Sequence, residues 1–228
     1  MPAEFDNYAA AGYEKLLQDP VRQRFGEPNF FFERKLILLR ALYEQYAGPT
    51  QSATWLDVGC GEGTLLQMGK KYFSDVSGCD ISAGMIQACE GVNVRNQSSP
   101  RQIPFTDNTF DLVTAVCVYH HVELGDRVTL MADISRVLKP RGLFCMIEHN
   151  PINPITQLIV RRSPIDSHAH LLTAGKARRL VRSAKMKVLA TRYFLYFPER
   201  LYSKMAAVEE ILSAFPLGGQ YAILCEND

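Results

Sequence analysis

The sequence predicts an α/β protein, a largely parallel sheet with helices on both faces. Three observations predict it. Segments of strand character alternate with segments of helical periodicity along most of the 228 residues, the pattern that lays crossover helices over a parallel sheet. The stretch Trp55-Leu56-Asp57-Val58-Gly59-Cys60-Gly61-Glu62-Gly63 joins an apolar run to a helix start through glycines at alternate positions. Glycine lets backbone N–H groups approach a ligand, because it has no Cβ to hold the ligand off. Asp80 ends the next strand about twenty residues on, where an acid is expected to bond a ribose hydroxyl.

Ahead of the first strand, residues 9–18 read as a helix that Asp19-Pro20 breaks. Pro28-Asn29 opens a second helix, whose Phe32, Leu36, Leu39, Leu42 and Tyr43 recur at helical spacing through Tyr46 before Gly48-Pro49 ends it. Residues 1–48 are therefore expected to form a helical lid or flank, and residues 49–228 the main domain. Phe5, Tyr8 and Tyr13 either pack this leading segment or, in a lid, bring tyrosine hydroxyls to a ligand carboxylate.

Residues 53–58 read as a buried parallel strand with Asp57 near its end. A helix over 62–72 and a strand over 76–80 follow. Ser82 caps a helix over 83–89. A weak strand at 92–96 precedes a loop at 98–108 that carries Ile103-Pro104-Phe105. Residues 110–118 form a strong buried strand running into Tyr119-His120-His121-Val122. A helix over 126–138 stops at Lys139-Pro140-Arg141-Gly142, and a fifth strand, 143–147, ends in Glu148-His149-Asn150.

The remainder is an irregular or short helical insert at 151–162, a connector at 163–172 and a helix over 174–184 with Arg178, Arg179, Arg182 and Lys185 on a solvated face. A strand over 188–197, a helix over 200–215 and a last strand over 220–225 complete seven strands. On strand 188–197, Tyr193, Leu195 and Phe197 share one face and Phe194 and Tyr196 the other, the second face being either core or pocket wall. Open α/β sheets bind ligands outside the carboxyl ends of their strands. That rule sets the 59–63 turn, Asp80, residues 119–121 and residues 148–150 on one rim.

Composition narrows the function classes. Hydrophobic residues make up 47%, enough for a substantial core. Lys and Arg total 25 against 24 Asp and Glu, so no bulk charge suits the coating of nucleic acid. The six cysteines are scattered without a CxxC and read as reduced thiols, which implies a cytoplasmic protein. The first residues lack the pattern of a signal peptide, and no apolar run is long enough to span a bilayer.

These residues resemble a known family, the class I S-adenosylmethionine-dependent methyltransferases, and among them the small-molecule enzymes of the ubiquinone and menaquinone type. Leu56 to Gly63 is similar to the family's first motif. Gly78-Cys79-Asp80-Ile81-Ser82-Ala83-Gly84-Met85-Ile86 is similar to the second, residues 103–111 to the loop into the fourth strand, and Arg136-Val137-Leu138-Lys139-Pro140-Arg141-Gly142 to the helix end before the fifth. The turn is GxGxG with Asp57 before it, whereas a dinucleotide oxidoreductase usually presents GxGxxG to seat a pyrophosphate. The resemblance implies a Rossmann-like, doubly wound, seven-stranded sheet with an antiparallel last strand inserted beside the fifth. It implies S-adenosyl-L-methionine as methyl donor and S-adenosyl-L-homocysteine as product. The implied cofactor residues are Tyr8, Asp57, Gly59, Cys60, Gly61, Asp80, Ile81, Met85, Ser99, Val116 and Cys117. Many members carry an acid before the 103–111 loop to receive the adenine amino group. Here Gln97-Ser98-Ser99-Pro100 stands instead, and Ser98 or Ser99 is the expected substitute.

Methyl transfer is an in-line displacement with a neutral leaving group, so the protein chiefly aligns the nucleophile, excludes water and accepts a proton. All five histidines follow the fourth strand. His120, His121 and His149 are the candidate bases or acceptor contacts, and Tyr13, Asn150, His168 and Tyr196 the candidate acceptor-side residues. No catalytic metal is expected, although His149 with His168-Ala169-His170 would suit zinc or iron. The acceptor is expected to be a small molecule with an oxygen, nitrogen or carbon nucleophile, in secondary or glycan metabolism, and the protein a monomer or homodimer. The competing readings are a non-catalytic S-adenosylmethionine-binding module and a nicotinamide-dependent oxidoreductase.

Overall fold

The computed structural model describes residue 6, residue 12 and residues 19–228. The expected helix over 9–18 and the side chains of Phe5, Tyr8 and Tyr13 lie outside the described residues.

Strands β1 (Thr54–Val58), β2 (Asp75–Asp80), β3 (Asn93–Asn96), β4 (Phe110–Val116), β5 (Leu138–His149), β6 (Lys187–Phe194) and β7 (Gln220–Glu226) form one sheet in the order β3-β2-β1-β4-β5-β7-β6. The first five pair in parallel. Strand β7 lies antiparallel between β5 and β6, as expected for the last strand. The order reverses between β1 and β4, so their carboxyl ends diverge and open the crevice in which such sheets bind ligands.

The helices are α1 (Pro20–Gln23), α2 (Pro28–Ala47), α3 (Thr64–Gly69), α4 (Ala83–Gln87), α5 (Arg127–Val137), α6 (Pro154–Arg162), α7 (Ala174–Ser183) and α8 (Glu199–Leu212). Period-two alternation divides the core. Leu56 and Val58 of β1 join Val113 and Ala115 under α5 and α7. Trp55, between them in sequence, packs with Leu112, Cys145 and Leu224 under α2 and α3. Alternate side chains of a strand point to opposite faces, so one apolar run serves both layers.

Helix α2 belongs to that second layer. Leu36, Leu39, Leu42 and Tyr43 pack on Trp55 and Phe73, while Phe31, Phe32 and Lys35, a turn earlier, reach the ligand crevice. The helix expected in a lid or flank thus covers the sheet along its second half. Its buried Arg34 bonds the side chains of Glu209 and Tyr202, which fastens α8 across it. Because Arg34 and Glu209 are both buried, each compensates the other's lost hydration.

Two element boundaries differ from expectation. Strand β5 begins at Leu138, where the helix was expected to be stopping. Phe110 pairs with Leu138 and Leu112 with Leu143, and the extra residues bulge through Arg141 at φ 62°. Strand β6 ends at Phe194, because Leu195 turns to φ 61°. The face alternation expected through Phe197 therefore breaks. Tyr193 and Phe194 are both buried in the core, and Leu195, Tyr196 and Phe197 line the crevice together.

Candidate active site

A cavity of about 610 Å³ opens outside the carboxyl ends of β1, β2, β4 and β5, within the range of small-ligand and cofactor sites. One wall is the glycine turn. Gly59 N and Cys60 N both donate to Cys79 O, at 2.7 and 3.1 Å, and Gly61 N donates to Asp80 Oδ2 at 2.8 Å. The turn is thereby sewn to the end of β2. Gly59, Gly61 and Gly63 take φ values of 74, 55 and 76°, which L side chains rarely adopt. Gly61 borders the cavity, and a Cβ placed there would meet no protein atom within 4 Å.

Two acids face this wall. Asp80 is buried; Oδ1 accepts from Ser82 N at 2.9 Å and Oδ2 from Gly61 N. Ile81 N is a third backbone partner of this carboxylate, which borders the cavity. Burial raises its pKa against those N–H bonds. Asp57 Oδ1 accepts from Thr114 Oγ1 at 2.5 Å, and Thr114 Oγ1 accepts from Trp55 Nε1 at 2.8 Å. Burial lifts the Asp57 carboxyl to about 7, against the Thr114 bond and the nearby Lys35 ammonium. Asp6 also reaches this wall. Asp6 Oδ1 accepts from Ser82 Oγ at 2.6 Å and Gly84 N at 3.0 Å.

The facing wall is built from the end of β4, the end of β5 and the 163–172 connector. Glu148 is fully buried. Its Oε1 accepts from Val118 N and Tyr119 N at 3.0 and 2.7 Å, and its Oε2 lies 2.5 Å from His120 Nδ1. On the other side of the ring, His120 Nε2 lies 3.2 Å from Asp166 Oδ1, and His121 Nε2 lies 3.4 Å from the same oxygen. Asp166 is carried there by backbone ties. His170 N donates to His120 O at 2.7 Å, and Arg127 bridges Val122 O and His170 O.

The electrostatics of this wall follow from burial and pairing. Burial opposes a charged His120, yet the Glu148 carboxylate and the bonds to Asp166 and Glu148 raise its pKa to about 10. Burial and then the neighbouring charged ring push His121 down to about 3. Burial works against charged Glu148 and Asp166, but His120 holds both below their ordinary values. The adjacent histidines thus differ, one ring charged and one neutral.

Between the walls, Cys117 adopts φ 58° at the end of β4, an uncommon conformation for a non-glycine residue. Gln220 Nε2 lies 3.4 Å from both Cys117 Sγ and His149 Nδ1. Burial would raise the Cys117 thiol, but Lys35 and His149 outweigh it and bring its pKa to about 7.

The structure brings most of the expected site residues to this one cavity: Asp57, Gly59, Cys60, Gly61, Asp80, Ile81, Met85, Val116, Cys117, His120, His121, His149 and Tyr196 all border it. Three do not. Ser99 turns into its own loop, its Oγ accepting from Arg101 N, while Ser98, the other expected serine, borders the cavity together with Gln97. Asn150 is buried with its Nδ2 on Pro216 O and Gly218 O, so it pins the 216–218 loop, while Asn153 reaches the cavity. His168 is exposed and does not border the cavity. Tyr196 borders it with its ring, since its hydroxyl donates to Leu212 O and Phe215 O. Sequence reasoning missed Lys35, Asp166 and Gln220 as site residues. Glu148 was placed on the rim without a role, and an acid closing a buried strand beside two histidines was the available signal.

Part of the chain is similar to known methyltransferases. Residues 56–146 match the profile of a family described as a methyltransferase domain. The chain is 30% identical over 109 residues to the uncharacterized methyltransferase YcgJ of Bacillus subtilis, covering 44% of this chain and 42% of that protein. It is 31% identical over 116 residues to the demethylmenaquinone methyltransferase of Corynebacterium kroppenstedtii, covering 48% of this chain and 50% of that protein. The chain thus spans about half the length of the curated relatives it matches. Among solved structures, an S-adenosylmethionine-dependent methyltransferase from Thermotoga maritima superposes over the whole of both chains, with a TM-score of 0.71 at 16% identity. That level of identity speaks for the fold alone.

Proposed function

We propose that the chain, whose residues 56–146 match a methyltransferase domain, is an S-adenosylmethionine-dependent methyltransferase acting on a small molecule. One observation carries this reading: a glycine turn sewn to an acid and a histidine–carboxylate cluster form the facing walls of a single cavity. The first wall suits the cofactor. Asp80 borders the cavity with a carboxylate suited to ribose hydroxyls, and Gly61 leaves open space where a side chain would intrude. Asp57 suits the ammonium of the amino-acid end and Lys35 its carboxylate. Gln97, next to Ser98, suits the adenine edge. Bound there, S-adenosylmethionine would supply an electrophilic methyl group on a sulfonium.

The second wall is the acceptor side. His120 has both ring nitrogens engaged, so we assign it a positioning role and assign contact with the acceptor to His121 and His149. The neutral His121 ring with Asp166 beside it can receive the acceptor's proton. The apolar mouth formed by Phe31, Phe32, Ile155 and Phe197 excludes water. A role in secondary or glycan metabolism stays part of this proposal, supported by the resemblance alone. Six free cysteines support a reducing, cytoplasmic setting, and among the described residues no helix is long and apolar enough to cross a membrane. A monomer or homodimer completes the reading.

The test is isothermal titration with S-adenosylhomocysteine, followed by a screen of small-molecule pools for methyl label from S-adenosylmethionine. Micromolar binding and label in one acceptor are expected. A thermal shift with NAD(H) and none with S-adenosylhomocysteine would reverse the reading. Tight binding without transfer to any acceptor would reduce the protein to a binding module.

A further inference from the structure

The acceptor wall is also assembled as a cation site. Glu148 takes His120 Nδ1 at 2.5 Å, and its remaining oxygen is held by two backbone N–H groups. That pairing fixes one proton on Nδ1, so the Nε2 proton of the charged ring is the one a metal ion would displace to reach a lone pair. Nε2 faces Asp166 Oδ1 at 3.2 Å, and His121 Nε2 lies 3.4 Å from that same oxygen. One donor atom from each of the three residues falls within 4.8 Å of the others.

In the metal-free chain a proton lies between Nε2 and that carboxylate oxygen, and a cation can take its place. A proton joins two atoms, whereas a metal ion can be shared by all three donors. Bonds of about 2.0–2.1 Å place neighbouring donors of a tetrahedral ion about 3.4 Å apart. A carboxylate on the far nitrogen of a ligating histidine is the usual outer partner of such a site.

We propose that His120, His121 and Asp166 bind a divalent first-row transition cation, zinc by preference, with Glu148 orienting His120 from outside and the open positions facing the cavity. Two imidazoles and one carboxylate suit zinc better than magnesium, which prefers an all-oxygen shell. The three residues border the acceptor end of the cavity, so a hydroxyl entering there meets the cation. Where the ion is bound it replaces His121 as the group that favours the deprotonated oxygen, the O–H proton passing to water, and the acceptor class this names is a hydroxyl compound. That naming rests on the methyltransferase reading; the cation site itself does not. It is separate from the His168 and His170 pair, which is exposed.

Zinc chloride titrated calorimetrically into the chelator-stripped full chain tests it, with S-adenosylhomocysteine titrated into each sample in parallel. One zinc per chain is expected. His121→Ala and Asp166→Asn should weaken it more than tenfold, and Glu148→Gln about 10- to 100-fold. The double variant His168→Ala/His170→Ala should bind as the native chain does. Replacing zinc with cobalt should give a visible absorption that Asp166→Asn abolishes. Zinc binding lost in the His168/His170 variant and kept in Asp166→Asn overturns the site. So does a native chain that binds S-adenosylhomocysteine but no zinc, and that outcome leaves the methyltransferase reading intact. If Asp166→Asn fails to fold, His121→Ala, with a partly exposed side chain, decides the matter alone.

Discussion

His120 Nδ1 lies 2.5 Å from Glu148 Oε2, and neither side chain reaches solvent. Removing one partner from such a pair leaves the other buried and uncompensated, at a cost of about 3–5 kcal/mol. The pair ties the end of β4 to the end of β5, and through Asp166 it orders the connector as well. Its consequences are therefore measurable in stability as well as in activity.

The pH dependence has a defined sign. The folded pKa of His120 is raised to about 10 from an ordinary value near 6.5. Its stabilising contribution is full below the unfolded value and is lost as the pH rises through the folded one. The difference in unfolding free energy between the native protein and His120→Asn should be largest at pH 6 and shrink steadily toward pH 10. Urea unfolding of both proteins across that range measures it, and a gap that widens above pH 7 contradicts the assignment.

Asp80 should matter more for binding than for folding. Hydrogen bonds to a charged group contribute about 1.5–3 kcal/mol, so Asp80→Asn should weaken S-adenosylhomocysteine binding by about 10- to 100-fold. Calorimetric titration reads this directly. Unchanged affinity would remove Asp80 from the proposed cofactor seat.

The glycines of the turn should separate folding from binding. A Cβ on Gly59 would lie 2.5 Å from Val118 Cγ2 at φ 74°. Strain and overpacking together predict that Gly59→Ala loses about 2–4 kcal/mol of stability. Gly61→Ala meets no protein atom within 4 Å. It should cost about 1–2 kcal/mol for its left-handed backbone while losing most cofactor binding, because its methyl would occupy cavity space. Thermal melts and S-adenosylhomocysteine titration of the two variants test the contrast.

Cys117 should behave as an acidic thiol. Burial acts against its thiolate, but Lys35 and His149 bring its pKa to about 7, below the ordinary value of about 8.5. Its iodoacetamide alkylation rate should reach half its maximum near pH 7, move to higher pH in Lys35→Gln, and fall when S-adenosylhomocysteine is added. Mass spectrometry of the labelled peptide distinguishes it from the five other cysteines.

The sequence by itself determined the alternation of strands and helices, the glycine turn and the acids at strand ends, because each is set by neighbours within a few residues. Period-two runs such as 110–116 need only their own side chains to declare a buried strand. The rim residues Asp57, Gly59, Gly61, Asp80 and His121 were legible for the same reason: a parallel sheet sends the ends of its strands to one side. Only the tertiary structure decided which distant residues meet there. Asp166 stands 46 positions after His120 and reaches it because His170 N and Arg127 fold the connector back. Lys35 comes from a helix ahead of the sheet, and Gln220 from the strand inserted last. Asn150 and His168 carry the right chemistry on the right segments, yet loop packing turns one into the 216–218 loop and leaves the other in solvent. Local periodicity encodes the elements, whereas the direction of a side chain on an irregular connector depends on backbone hydrogen bonds between segments far apart in the chain.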